Sequence, residues 1–261
     1  MDDVRALMSC GRRMDRTAAV ARVALERRDP PAACARYLEA LDKAVQSELP
    51  LFTTEAYERS YRSASANGQW LAISLITAAE REGDGATRLW SLAACSDDEE
   101  ERELLKRHAV DESRHALAYL ALLDLTFPGA VSPEFRAEMD QLSPHFAMGQ
   151  EPRVIEGSPY ARTPSIDDFI QMNIAEIRTT FHHLMQRPAL AHHCPPDNVA
   201  RATRLLDSVL EDELDHIAYS AVLVEKRAER GEGGDLQAHV HRRLCDFNRL
   251  TSSEVGQLIF D

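Results

Sequence analysis

Two short stretches carry residue types that can do chemistry: Asp111-Glu112-Ser113-Arg114-His115 and Asp212-Glu213-Leu214-Asp215-His216. Both read Asp-Glu-x-x-His, and both lie within long runs of helical apolar spacing. Residues three apart on a helix share a face, with Cβ atoms about 5–6 Å apart. Glu112 and His115 can therefore offer an oxygen and an imidazole nitrogen to one metal ion, and Glu213 and His216 can do the same for a second. One such motif is common by chance. Two of them, each preceded by an apolar helix with its own glutamate, form a repeated unit.

Glu80 and Glu176 are the preceding glutamates. On a helix predicted over about 69–95, Ile73, Ile76, Glu80, Asp84 and Thr87 fall on one stripe. Leu75, Ala79, Glu82, Ala86 and Leu89 make a competing stripe, so Glu82 is the rival ligand and Glu80 the preferred one. Gly83 and Gly85 are costly inside a helix, yet small residues beside a metal leave room for oxygen or substrate. Glu176 shares a face with Phe169, Met172, Thr179, Thr180 and His183 on a helix that starts at Ser165 and Asp168 and is expected to end at Pro188. The Asp-Glu-x-x-His motifs sit on the second and fourth helices, about 96–126 and 197–229. Ser96 is the expected N-cap of the second, which makes Asp97–Glu103 a solvated acidic start. Further along, Leu105, His108, Glu112, His115 and Tyr119 share one face. Burying a carboxylate and two imidazoles there is expensive unless they are paired or bound to metal.

The order is thus Glu80, Glu112-x-x-His115, Glu176, Glu213-x-x-His216, with spacings of 32, 64 and 37 residues. Four carboxylates and two imidazoles supply hard oxygen plus nitrogen ligation, which suits iron or manganese better than a closed structural zinc.

This ordered pattern, over about Gln69 to Glu229, resembles the ferritin-like di-iron carboxylate proteins. The resemblance implies an all-α, ferritin-like four-helix bundle holding two Fe ions, with Mn or a mixed Mn/Fe pair as the alternative. Glu112 and Glu213 would bridge the metals, Glu80 and His115 would complete one site, and Glu176 and His216 the other. Glu80-Arg81-Glu82 is also similar to the first helix of the aldehyde-deformylating oxygenases, in which the first glutamate is the ligand; their downstream aromatic is Thr87 here. His108 gives His-x-x-x-Glu-x-x-His, a spacing similar to the extra histidine ligand of p-aminobenzoate N-oxygenases. In those enzymes it lies on the other motif helix, where this chain has Val209. His108 is therefore a candidate seventh ligand, weighed against a supporting or partly exposed histidine, and His183 is treated alike. Asp111 and Asp212 are candidates for orienting a ligating imidazole. The activity implied is that of a di-iron oxygenase or oxidase using O2 on a small organic substrate. An electron donor such as a ferredoxin or a reductase, and a homodimer, are expected with it. The rival readings are a ferroxidase or other iron-handling protein, a manganese enzyme of the same fold, and a metal-free helical adaptor whose glutamates and histidines pair in the core.

A single domain is expected to position these groups. Residues 1–66 read as an N-terminal helical extension with helices at about 16–28, 32–48 and 53–65, broken at Asp29-Pro30-Pro31 and Pro50. Residues 67–230 form the metal-binding core, and 231–261 a C-terminal helix. Proline-punctuated residues 127–164 read as a crossover and candidate lid, with a short helix near Glu134–Leu142; His145 and Tyr160 read as exposed loop residues. His192-His193-Cys194-Pro195-Pro196 reads as a turn rather than a zinc site.

The formal net charge of −13 over 261 residues argues against nucleic acid and anionic membranes as partners. Five cysteines, far apart and without Cys-x-x-Cys, suit reduced thiols. No stretch approaches 18 apolar residues and no apolar segment follows Met1, so a cytoplasmic location is expected.

Overall fold

Helical apolar spacing runs through nearly the whole sequence, and a computed structural model, which describes residues 16–28 and 32–259, shows nine α-helices and no strand among them. They are α1 (Arg16–Glu26), α2 (Ala35–Ser47), α3 (Glu55–Ser65), α4 (Gly68–Ala94), α5 (Glu99–Thr126), α6 (Pro133–Leu142), α7 (Ile166–His193), α8 (Pro196–Glu229) and α9 (Leu236–Ile259), with a short 3-10 turn at Leu51–Thr53. The predicted break at Asp29-Pro30-Pro31, and Cys10, lie outside the described residues. Among the described residues no helix is long and apolar enough to cross a membrane.

Local chemistry sets the helix ends. Asn67 caps α4, its side chain accepting from the backbone N–H of Gln69 and Trp70. The cap of α5 is Asp98 rather than Ser96: the aspartate accepts from Glu100 and Glu101, while the Ser96 hydroxyl donates to the Asp98 carbonyl. Most of the acidic start is solvated as expected, but Glu101 is buried. Ser132 followed by Pro133 starts α6. Ser165 and Asp168 cap α7 reciprocally: the Ser165 N–H donates to Asp168 Oδ2 at 2.8 Å and the Asp168 N–H to Ser165 Oγ at 3.4 Å. Pro188 does not end α7, which continues to His193. The cost of the missing N–H is offset by ties in the flanking turns, where Arg187 forms a two-pronged pair with Asp207 at 2.8 and 3.1 Å and His193 contacts the Ser65 carbonyl. Gly231, with φ of 82°, lets the Glu232 N–H turn back to the Arg227 carbonyl and close α8. No side chain of its own caps α2. Its free N–H groups at Arg36 and Tyr37 donate instead to the carboxylate of Glu225, from α8, at 3.3 and 2.8 Å.

The chain divides into two compact units that do not follow sequence order. The first joins residues 1–64, 165–186 and 210–261; the second joins 65–164 and 187–209. Segments expected as an N-terminal extension and a C-terminal helix thus share a unit with half of the predicted metal-binding residues. In the first unit α9 packs on α2, and Phe52 meets Phe181 with ring centroids 6.1 Å apart. In the second, α4 and α5 pack along their length over a core including Leu71, Leu75, Tyr119, Leu123 and Leu206. Fully burying each leucine contributes about 1.5–3 kcal/mol. The crossover is tied to α4 by the Ile155 N–H donating to Ser91 Oγ at 3.0 Å and by Phe146 stacked on Trp90.

Candidate metal centre

In the second unit the donors come from α4 and α5. Glu112 is buried on α5, with His108 one turn before it and His115 one turn after, both 1 % exposed. His108 Nε2 lies 3.0 Å from Glu112 Oε1, and His115 Nδ1 lies 3.7 Å from the same oxygen. The partner from α4 is Glu82, which hydrogen-bonds to Glu112. Glu82, Glu112 and His115 each offer a ligand atom, all within 4.8 Å of one another. This is a half-buried to buried Glu/His group able to hold a metal ion.

Burial alone would raise the Glu112 carboxyl, but hydrogen bonding to Glu82 and His108, with the His115 imidazole close by, outweighs it and holds the group well below the usual carboxylate range. Gly85 faces this carboxylate. A Cβ there would sit 3.2 Å from Glu112 Oε2, so the glycine gives the carboxylate clearance. Gly83 serves a different neighbour, since its Cβ would meet Pro144 of the crossover at 3.1 Å.

On α4 it is Glu82, and not the preferred Glu80, that lies within 4.8 Å of Glu112 and His115. Glu80 is exposed and lines a cavity of ≈ 450 Å³ between α4, α5 and α6, with Ile76, Asp84, Leu120, Phe135 and Met139 among its walls. Glu82 takes the position expected of Glu80. The signal was in the sequence: the wholly apolar companions of Glu82, namely Leu75, Ala79, Ala86 and Leu89, are all buried, whereas Ile73 on the rival stripe is 55 % exposed.

In the first unit the donors come from α7 and α8. Glu176, Glu213 and His216 are all buried. Glu176 and His216 present ligand atoms within 4.8 Å of each other, and His216 Nδ1 lies 3.2 Å from Glu213 Oε2. A polar chain anchors the two helices behind them. Tyr37 Oη donates to Asn173 Oδ1 at 2.5 Å, and the Asn173 amide donates to the Ile217 carbonyl and Ser220 Oγ at 2.9 and 3.1 Å. Ser220 Oγ donates in turn to the His216 carbonyl at 2.7 Å. That chain fixes the turn carrying His216 against the turn carrying Glu176.

Among the remaining candidates, His183 is buried on α7. Asp111 is half-buried and pairs with Arg114 at 2.6 Å. His145 is exposed, its ring on the Asp140 carbonyl, and Tyr160 lies between the guanidinium groups of Arg88 and Arg162. His193 and Cys194 are engaged by the carbonyls of Ser65 and Leu125, so these polar groups have protein partners. No protein-family model, no curated protein and no solved structure matches the chain.

Proposed function

We propose that the protein is a non-haem di-iron oxygenase or oxidase of the ferritin-like kind, which uses O2 to oxidise a small organic substrate. One observation carries this reading: each unit places the same donor set, two carboxylates and an imidazole, in buried or half-buried positions. Glu82, Glu112 and His115 supply it in one unit, and Glu176, Glu213 and His216 in the other. The set fits the ions. Oxygen and imidazole donors match iron or manganese, Glu112 is held as an anion, and Gly85 keeps its carboxylate free of a neighbouring Cβ. Bound iron would supply the redox chemistry of O2, with an external electron donor restoring the reduced metal.

The chain's own residues do the rest. Carboxylates offset the charge of the ions, burial excludes bulk water, and His108 holds Glu112 through its Oε1 at 3.0 Å. The ≈ 450 Å³ cavity beside α4 falls within the usual range for small-molecule sites, about 300–1,000 Å³. Its mixture of apolar walls with Glu80 and Asp84 suits an apolar substrate bearing a polar or cationic group.

A second reading draws on the same hydrogen bonds. Glu112 has Glu82 and His108 as partners without an ion, as a metal-free helical adaptor requires. Anaerobic loading with Fe(II), then exposure to O2, separates the two. About two irons per chain and a transient visible absorption, both diminished in Glu112→Ala and Glu213→Ala, support the oxygenase. Less than one iron per chain, or variants that bind iron as wild type does, overturns it in favour of the adaptor.

A further inference from the structure

A second donor cluster lies in the first unit, built from residues almost two hundred positions apart. Glu48 ends α2, while His241 and Cys245 sit one turn apart on α9. Each offers a ligand atom, and the three atoms lie within 4.8 Å of one another. From these residues we propose a separate binding site for a zinc-like divalent cation, with a thiolate, an imidazole and a carboxylate as ligands.

The geometry is close to what such an ion needs. Zn–S and Zn–N bonds of about 2.3 and 2.0–2.1 Å at a tetrahedral angle put sulfur and nitrogen roughly 3.6 Å apart. Cys245 Sγ lies 3.9 Å from the His241 ring nitrogens, so an ion enters with an adjustment of a few tenths of an ångström. Spacing of four on a helix brings His241 and Cys245 to one face. The carboxylate is oriented by a third group. Asn248 Nδ2 donates to Glu48 Oε1 at 2.6 Å and to the Leu49 carbonyl at 3.0 Å, and Asn248 Oδ1 accepts from the Leu51 N–H at 2.8 Å. That amide clamps the end of α2 to α9 and leaves the second oxygen of Glu48 for the ion. Ligating carboxylates characteristically have such a partner. Arg249, on the same helix, pairs with Asp246 at 3.0 Å. All three ligands are half-buried, which leaves the fourth position to water. A cysteine sulfur also separates this site chemically from the Glu/His centre, whose donors are oxygen and nitrogen.

Titration of the full chain with Co(II) tests the assignment, because thiolate ligation gives a near-ultraviolet charge-transfer band that an oxygen and nitrogen site lacks. The band is expected to reach the intensity of one thiolate-bound cobalt per chain, with cobalt taken by the Glu/His centre adding nothing to it, to be displaced by Zn(II), and to be abolished by Cys245→Ser. Glu48→Gln and His241→Ala should each weaken it at least about tenfold, and Glu112→Ala should leave it intact. Circular dichroism of the metal-free variants checks that each retains its helices. No band in the wild type, a band that survives Cys245→Ser, or one indifferent to both Glu48→Gln and His241→Ala overturns the proposal.

Discussion

Alanine in place of a mid-helix glycine usually stabilises by about 0.5–1 kcal/mol, and α4 offers two places where that rule meets a neighbour. Gly85→Ala puts a methyl 3.2 Å from Glu112 Oε2. The apo protein should melt no lower than wild type, yet bind metal about tenfold more weakly because the carboxylate must turn aside; calorimetric titration beside thermal melting measures both. Gly83→Ala meets the Pro144 ring at 3.1 Å, a rigid neighbour, and should loosen the crossover instead, seen as faster proteolysis between residues 143 and 165. Glu82→Gln should lower metal content by about one ion per chain, while Glu80→Gln leaves it unchanged; elemental analysis decides. The outcome distinguishes two residues that helical periodicity alone could not. Both lie on plausible stripes of one helix, and the difference is which stripe a neighbouring helix covers. Glu112 with His115 and Glu213 with His216 were legible because polar residues at three-residue spacing stand out against leucine and alanine, and Glu176 because it is a lone glutamate on an apolar face. Cys245 and His241 were not, since their third partner, Glu48, is supplied by a remote segment.

At the level of elements, boundaries were legible where the cap is local and obscured where it is tertiary. Ser165 with Asp168, or Ser132 with Pro133, can be read along the chain. The continuation of α7 through Pro188 cannot, because Asp207 and Ser65 hold it from elsewhere. The same dependence gives α7 a pH response. Asp167, in its first turn, accepts from Arg242 at 2.8 Å and pairs with Arg243, both on α9. Burial works against the ionised Asp167 carboxyl, but the two guanidinium groups and His239 outweigh it, so its pKa is lowered from the ordinary 3.8. A lowered folded-state pKa stabilises above the unfolded value and loses that contribution as pH falls through the folded one. Asp167→Asn should therefore lower the melting temperature at pH 7 by roughly 1–3 °C, the solvent-screened value of such a pair. The gap between variant and wild type should close as the pH falls below about 4.

For the whole molecule, ligands that bind the folded chain alone stabilise it by RT ln(1 + [L]/Kd), about 2.7 kcal/mol per ion at a hundredfold excess over Kd. A chelator should accordingly lower the melting temperature of metal-loaded protein by several degrees, and Glu112→Ala should shrink that shift; an adaptor would be indifferent. The all-helical class was legible because period-3.6 patterning needs no partner to be recognised. The division into two units was not, since the first is assembled from three separated segments and no local signal marks which segments return to one another. The cap of α2 illustrates the consequence during synthesis. Its Tyr37 N–H is satisfied by Glu225, 188 residues downstream. At about 5–20 residues per second, the ribosome delivers that carboxylate roughly 10–40 s after α2 has emerged. Until then α2 has no α9 to pack against, so a chain arrested before residue 210 should display a protease-sensitive, chaperone-binding amino-terminal segment.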